Sequence, residues 1–232
     1  MKIITRGWHV FKKIFIITML ICSIFIVMKI SNSMANNKED MVLIDKANEE
    51  INYIEGKLEE NVYYIKAQDW LNISKNINLI YSYWNVVILD LNELEVKSSY
   101  LSEFGKRLDE FTIAVEEKSV NVARAKACEL YNYLLIFTQS YNNKTEINKI
   151  NFKKNLITAY CIADNNDWNL INEYILKSEE SVKNIINLNN EREYQLDKLY
   201  ISLKELENSI KIQDLNLFYR KYEIVRKNVS FW

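Results

Sequence analysis

The chain has 232 residues, with no proline, three glycines and 49% hydrophobic residues. This scarcity of turn formers argues against a sheet protein and against Gly-rich phosphate-binding loops, and it favours long helices with short polar connections. The net charge is −1, but residues 1–30 carry five basic and no acidic side chains, so removing that +5 leaves −6 for the remainder. A mildly acidic body lacks the basic surface that nucleic-acid binding requires, so we expect no nucleic-acid partner.

An uncharged, mostly apolar run occupies residues 14–28, between Lys13 and Lys29. A membrane span usually needs about 20 residues, and flanking lysine side chains can extend the apolar band towards the interfaces. The pattern predicts a transmembrane anchor over 14–30, preceded by a cytoplasmic basic segment at 1–13. Because basic residues stay on the inner side, we expect the body of the protein outside the cell membrane.

The same run also fits a secretory signal peptide. Ser33-Met34-Ala35 has the small-x-small pattern of a cleavage site, so secretion after cleavage near Ala35 is the alternative. In either case residues 31–40 form a polar spacer, and the body that follows is extracytoplasmic.

Four residues suited to capping a helix N-terminus recur at spacings of 50, 48 and 47 residues: Asp69, Ser119, Asp167 and Asp214. Each is followed by apolar residues in alternating steps of three and four, which predicts one buried helix face. A period of about 48 residues is typical of stacked helical hairpins. The chain is therefore predicted to be all-α, with four tandem antiparallel hairpins after the anchor.

The helices before the caps repeat in the same register. Fixed offsets of 15, 11 and 4 residues before each cap hold apolar residues, which we predict to be core: Ile54, Phe104, Phe152 and Leu199; Leu58, Leu108, Leu156 and Leu203; Ile65, Val115, Ala163 and Ile210. Trp70 and Trp168, directly after two of the caps, are predicted to pack rather than to bind a ligand.

The pair Asp-Trp occurs at the first and third caps, 98 residues apart. This spacing favours a duplicated two-hairpin unit, and the polar break at 141–145 favours a boundary between two domains, 41–141 and 146–232. One double hairpin can close a four-helix bundle, so we predict two four-helix bundles in series. A short α-solenoid like those of tetratricopeptide repeats is the alternative.

A resemblance to a group of known proteins rests on the Asp69-Trp70 turn, the further tryptophan Trp84 and the N-terminal anchor. The chain resembles short membrane-anchored all-helical proteins of unknown function from spore-forming Gram-positive bacteria, over about residues 1–141. The second pair of hairpins departs from those shorter proteins. The resemblance implies location and fold, and it supplies no catalytic residue.

The sequence of the body contains no recognisable set of catalytic residues. The single histidine, His9, precedes the predicted anchor, so the body lacks the usual general base and metal ligand. Adjacent acids such as Glu59-Glu60 and Glu179-Glu180 point apart on a helix, and we expect them on solvated faces. We therefore predict no enzyme activity, no metal and no cofactor.

Cys128 and Cys161 lie 15 residues before and 18 residues after the break near residue 143. If the flanking helices are antiparallel neighbours, both sulfurs lie at a similar height. An extracytoplasmic body permits a disulfide, and two buried thiols are the alternative.

Tyrosine is frequent, with 15 copies, and six of them are candidates for an interaction surface: Tyr63, Tyr64, Tyr81, Tyr83, Tyr131 and Tyr133. Tyrosines of this kind can line a groove for a peptide or glycan. They are also common bundle residues that keep the hydroxyl near the surface.

The sequence combines an anchor with tandem hairpins and lacks a catalytic set. We therefore predict a non-catalytic, membrane-anchored scaffold or protein-interaction module. Its expected partners are the membrane and another membrane or envelope protein. The alternative is an extracytoplasmic small-ligand-binding or sensory bundle that signals through another membrane protein.

Overall fold

The computed structural model describes residues 40–141, 144–188 and 194–229. The residues from Lys46 onward form one compact unit and residues 40–45 belong to another, so the packing described below is that of the unit from Lys46. Within the described ranges the chain is all-α, with eight helices and no strand: α1 over 40–67, α2 Trp70–Glu93, α3 Ser98–Glu116, α4 Val120–Tyr141, α5 Lys144–Ile162, α6 Trp168–Leu188, α7 Tyr194–Ile212 and α8 Leu215–Val229. A 3-10 helix, Ala163–Asn165, follows α5.

The predicted turns occur where the repeat places them. Asp69, Asp167 and Asp214 each accept a hydrogen bond from the backbone N–H three residues later, at 3.3, 3.1 and 3.0 Å, and α4 begins directly after Ser119. The residue before each cap has a positive φ between 54° and 57°: Gln68, Lys118, Asn166 and Gln213. A left-handed residue at this position turns the chain sharply and satisfies the last carbonyls of the preceding helix.

The core prediction is confirmed at all twelve offset positions, because every one of those apolar side chains is buried. Most described residues of the stripes after the caps are buried as well, and the Trp84 ring lies 4.3 Å from that of Phe104 and 5.6 Å from that of Phe137. Trp70 and Trp168 are half-buried and pack against this core. Burial of one face per helix supplies the main stabilisation of such a fold.

Helix α5 contacts four other helices of the unit. It packs extensively against α4 and α6, its Lys153 pairs with Glu55 of α1, and its Tyr160 contacts Tyr222 of α8 at a ring distance of 4.7 Å. Its buried residues therefore cover more of the helix circumference than the single stripes of α6 and α8 do.

Helices α1 and α5 run parallel and in register. Glu55 pairs with Lys153 at 3.2 Å, and Lys66 pairs with Asp164 at 3.4 Å, and both pairs join positions that are 98 residues apart. That number is also the spacing of Asp69 and Asp167. Equivalent positions of the two double hairpins therefore face each other with opposite charges.

None of the described helices combines the length and the apolar character that crossing a membrane requires. The predicted basic segment 1–13, the anchor 14–30 and the spacer up to residue 39 lie outside the described residues. Residues 142–143, at the predicted break between domains, lie outside them too, and α4 and α5 on either side pack against each other. The division into domains 41–141 and 146–232 stays a prediction.

Candidate functional site

A cavity of about 210 Å³ lies between α1, α5 and α8. One wall is Glu59 of α1, and the others are residues of α5 and α8: Lys153, Leu156, Ile157, Tyr222, Arg226 and Val229. Three charged and three aliphatic residues thus share one small space. We call this site the α1/α5/α8 cavity.

The carboxylate of Glu59 is half-buried in the wall of this cavity. The Tyr63 hydroxyl lies 3.3 Å from its Oε1 atom. Burial raises the pKa of Glu59, the nearby charge of Glu55 adds to the effect, and Lys153 and Arg226 oppose it. The carboxylate is therefore poorly solvated and gains from any further cation or donor that enters the cavity.

The two cations of the cavity have carboxylate partners other than Glu59. Lys153 Nζ lies 3.2 and 3.3 Å from the oxygens of Glu55, which is 2% exposed. Arg226 lies 2.9 Å from Glu223, and its guanidinium is 5.0 Å from the centre of the Tyr63 ring. Stacking on a ring and pairing on one side hold the Arg226 side chain in place while leaving it 42% exposed.

Two tyrosines lie next to the charged residues of the cavity, and one of them, Tyr222, lines it. The hydroxyls of Tyr63 and Tyr222 lie 3.2 Å apart. Burial raises the pKa of both phenols well above the usual value, so both stay protonated at neutral pH. They can donate and accept hydrogen bonds but do not add charge.

A second concave site, which we call the α4/α5/α6 groove, has a volume of about 580 Å³. Its walls include five asparagines from three helices, Asn132, Asn148, Asn151, Asn155 and Asn184, with Thr158, Tyr174 and Ser181 beside them. The residues of α5 that line this groove lie on the helix face opposite the one that lines the cavity. One helix therefore positions both sites.

The charged residues of the groove balance. Glu129 and Glu180 face Lys154 and Lys177, which gives a formal charge of zero. Burial, followed by the charge of Lys177, lowers the pKa of Lys154. The groove is polar without being strongly charged, so its chemistry suits hydrogen-bonding ligands more than polyanions.

Cys128 and Cys161, the candidates for a disulfide, are neighbours in the structure. Their sulfur atoms lie 2.7 Å apart, and both cysteines are free thiols in the structure. The contact with Cys128 and burial raise the pKa of the Cys161 thiol. Cys128 is half-buried and also lines the α4/α5/α6 groove.

The six tyrosines proposed for an interaction surface are not brought together. Tyr131 is 1% exposed, and its hydroxyl donates to the backbone carbonyl of Glu55 at 3.0 Å, so it is a core residue. The other five are half-buried and pack against the core. Four of them contact residues of different helices: Tyr63 contacts Tyr222 of α8, Tyr81 contacts Asp109 of α3, Tyr83 contacts Tyr53 of α1, and Tyr133 contacts Phe104 of α3. None of the six lines the α4/α5/α6 groove.

Two polar residues in the helices have structural rather than chemical roles. Ser178, the polar residue inside an apolar stripe, lies within hydrogen-bonding distance of the carbonyls of Phe152 and Tyr174, at 3.3 and 3.1 Å. Glu179, expected on a solvated face, is 2% exposed and binds Lys183, Lys204 and Tyr200. That expectation was wrong because α7 covers this face of α6.

In the ranges that the structure describes, no group of three or more His, Cys, Asp or Glu residues is arranged to hold a metal ion. The residues of the cavity were not candidates from sequence, because Lys153 and Arg226 lie in helices whose exposed faces carry many similar cations. The asparagines of α5, spaced three and four residues apart at 148, 151 and 155, were the available signal for the groove.

Comparisons with protein-family models, with curated proteins and with solved structures find no match. Any function proposed for this chain therefore rests on the geometry of its own residues.

Proposed function

We propose that this protein is a non-catalytic module that is anchored in the cell membrane by residues 14–30. In this proposal it docks an extended segment of another membrane or envelope protein on the extracytoplasmic side. The observation that carries the proposal is the α4/α5/α6 groove, which is lined by five asparagines from three helices. An amide side chain offers one acceptor and two donors, which match the C=O and N–H groups of an extended peptide.

The balanced charge of the groove supports a peptide over a nucleic acid. Two acidic and two basic side chains cancel, and a polyanion would gain no net attraction. Tyr174 adds an aromatic surface on which an apolar side chain of the partner can pack.

The membrane anchor is part of the same proposal. The apolar run at 14–28 with basic flanks supports it, as does the resemblance to short anchored helical proteins. The adjacent thiols of Cys128 and Cys161 are compatible with an oxidising compartment, where such a pair can form a disulfide.

For the architecture, we propose two four-helix bundles that are fused side by side. Tyr131 of α4 reaches the backbone of α1, and Tyr160 of α5 contacts Tyr219 and Tyr222 of α8. Each set of four helices thus has contacts between its first and last members, which supports closed bundles over an open solenoid. The contacts of α1 with α5 support the fusion.

The docking role is tested by photo-crosslinking from defined positions of the full-length protein in intact cells. A crosslinker at Asn184, which is exposed in the groove, should capture one protein. A crosslinker at Leu89 of α2, which is 63% exposed and outside the groove, should not capture it.

Variants of the groove test whether its asparagines are needed for capture. Asn132→Ala and Asn184→Ala remove exposed amides, so we expect them to lower the captured amount severalfold without changing the helix content. Equal capture from Leu89, or capture only of a second copy of this chain, would contradict the proposal. Capture of a glycan instead would reassign the groove.

The α1/α5/α8 cavity favours a second candidate function, a small-ligand receptor. The cavity is small and partly apolar, and it holds a few charged groups, which is the usual composition of a ligand site. In this case the protein would report ligand binding through another membrane protein.

A further inference from the structure

We propose that the α1/α5/α8 cavity binds a small zwitterion with an apolar side chain, of the class of free aliphatic α-amino acids. This inference rests on the second candidate function, the small-ligand receptor, and is independent of the docking groove.

The charges of the cavity come from three different helices. Glu59 supplies a carboxylate from α1, whereas Lys153 and Arg226 supply cations from α5 and α8. The cations pair with Glu55 and Glu223, at 3.2 and 2.9 Å. Among the described residues, Glu59 has a hydrogen bond from Tyr63 at 3.3 Å and no ion pair with either cation.

Both cations are nevertheless close enough to Glu59 to act on its ionisation. A ligand cation alone would be attracted by Glu59 but repelled by Lys153 and Arg226. A ligand anion alone would be attracted by Lys153 and Arg226 but repelled by Glu59. A ligand that carries both charges places its ammonium group at Glu59 and its carboxylate at the cations. The cavity therefore complements a zwitterion better than either ion.

The remaining wall selects the side chain of the ligand. Leu156, Ile157 and Val229 form an aliphatic surface that a hydrocarbon group can cover. A cavity of about 150 Å³ can hold benzene, and this one is about 210 Å³. In proportion, it has room for roughly eight non-hydrogen atoms, close to the nine of leucine.

The test compares three probes that share one hydrocarbon group. L-Leucine carries both charges, 3-methylbutylamine keeps only the ammonium group, and 4-methylpentanoate keeps only the carboxylate. Their affinities for the purified full-length protein in detergent are measured by isothermal titration calorimetry. We expect L-leucine to bind at least tenfold more tightly than either of the other two.

Two variants assign the binding to the cavity. Glu59→Gln keeps the shape and removes the carboxylate, and Arg226→Gln removes the cation from a side chain that is 42% exposed. Each should weaken L-leucine binding about tenfold or more. Lys177→Gln, in the α4/α5/α6 groove, is the matched charge control and should leave the affinity unchanged. Far-UV circular dichroism verifies that all three variants keep the fold.

Three results would overturn the proposal: no L-leucine binding, equal binding of one of the single-charge probes, or binding that Glu59→Gln and Arg226→Gln leave intact. A thermal-shift screen separates this failure from that of the receptor function. Another ligand that protects the protein and loses its effect in Arg226→Gln would keep the receptor and discard the zwitterion. No protecting ligand would discard both, while the crosslinking result at Asn184 would stand unaffected.

Discussion

The sulfur atom of Cys128 in α4 lies 2.7 Å from that of Cys161 in α5, although the two residues are 33 positions apart in the chain. The contact joins the last helix before the predicted domain break to the first helix after it. A disulfide formed here would tie the two halves of the protein together.

We expect mild oxidation of the folded protein to form this disulfide within one chain. The full chain has three cysteines, so the thiol count under denaturing, non-reducing conditions should fall from three to one. Closing a loop of this length stabilises a protein by up to about 3–4 kcal/mol through the unfolded state. Cys128→Ser should abolish both changes, and three thiols that persist after oxidation would rule the bridge out.

Reactivity should differ between the two thiols of the reduced protein. Because the contact with Cys128 and burial raise the pKa of Cys161, its thiolate is scarce at neutral pH. We expect iodoacetamide to modify the half-buried Cys128 severalfold faster than Cys161. Peptide mass spectrometry over a time course measures both rates, and faster labelling of Cys161 would contradict the burial shown by the structure.

Glu179 should stabilise the packing of α6 against α7 in a pH-dependent way. Burial raises its pKa, but hydrogen bonds from Lys183, Lys204 and Tyr200 outweigh burial and leave the pKa below the usual 4.5. Because the folded-state pKa is lowered, this stabilisation is present above pH 4.5 and is lost as the pH falls through the folded-state value.

Glu179→Gln should therefore lower the free energy of unfolding by about 1–2 kcal/mol at pH 7, since charge-assisted bonds to partly exposed lysines are lost. The loss should shrink towards pH 3. Urea denaturation at several pH values measures it, with Glu180→Gln, at the exposed neighbouring position, as the control. A loss of the same size at pH 3 would mean that packing, not charge, is responsible.

Glu55 should show the opposite pH dependence. Burial raises its pKa, and Lys153 opposes this only in part. With a raised folded-state pKa, the folded protein binds the proton more tightly, so stability falls as the pH rises above 4.5 through the folded-state value.

Glu55→Gln removes the charge. The free energy of unfolding of the variant, relative to that of the original protein, should therefore increase as the pH rises from 4.5 through the folded-state pKa of Glu55. Denaturation midpoints between pH 4 and pH 8 test this, with Glu117→Gln, an exposed position, as the control. A difference that stays constant over the range would show that Lys153 fully compensates the buried charge.

Glycine at position 118 should stabilise the turn before α4. Lys118 is exposed and has a φ of 54°, a conformation that L-residues adopt at a cost and that achiral glycine adopts readily. We expect Lys118→Gly to raise the free energy of unfolding by about 0.5–1 kcal/mol, and Lys118→Val to lower it. Chemical denaturation measures both, and equal effects of the two variants would contradict the left-handed geometry.

Much of the fold was determined by local signals in the sequence. Capping residues such as Asp69 and Asp167 and the three- and four-residue steps between apolar positions specify where helices begin and which face is buried, because both effects act within a turn or two of one helix. The twelve core positions and the four turns followed from these signals. The spacing of Cys128 and Cys161 about the break likewise indicated a similar height for the two sulfurs.

Only the tertiary structure decided which surfaces became sites. Glu59, Lys153 and Arg226 lie far apart in the chain and share a cavity because α1, α5 and α8 meet there. Periodicity describes one face of one helix, whereas α5 packs against several helices and uses opposite faces for the cavity and the groove. The same limit explains Glu179 and Tyr131, whose burial depends on neighbouring helices that no local pattern can identify.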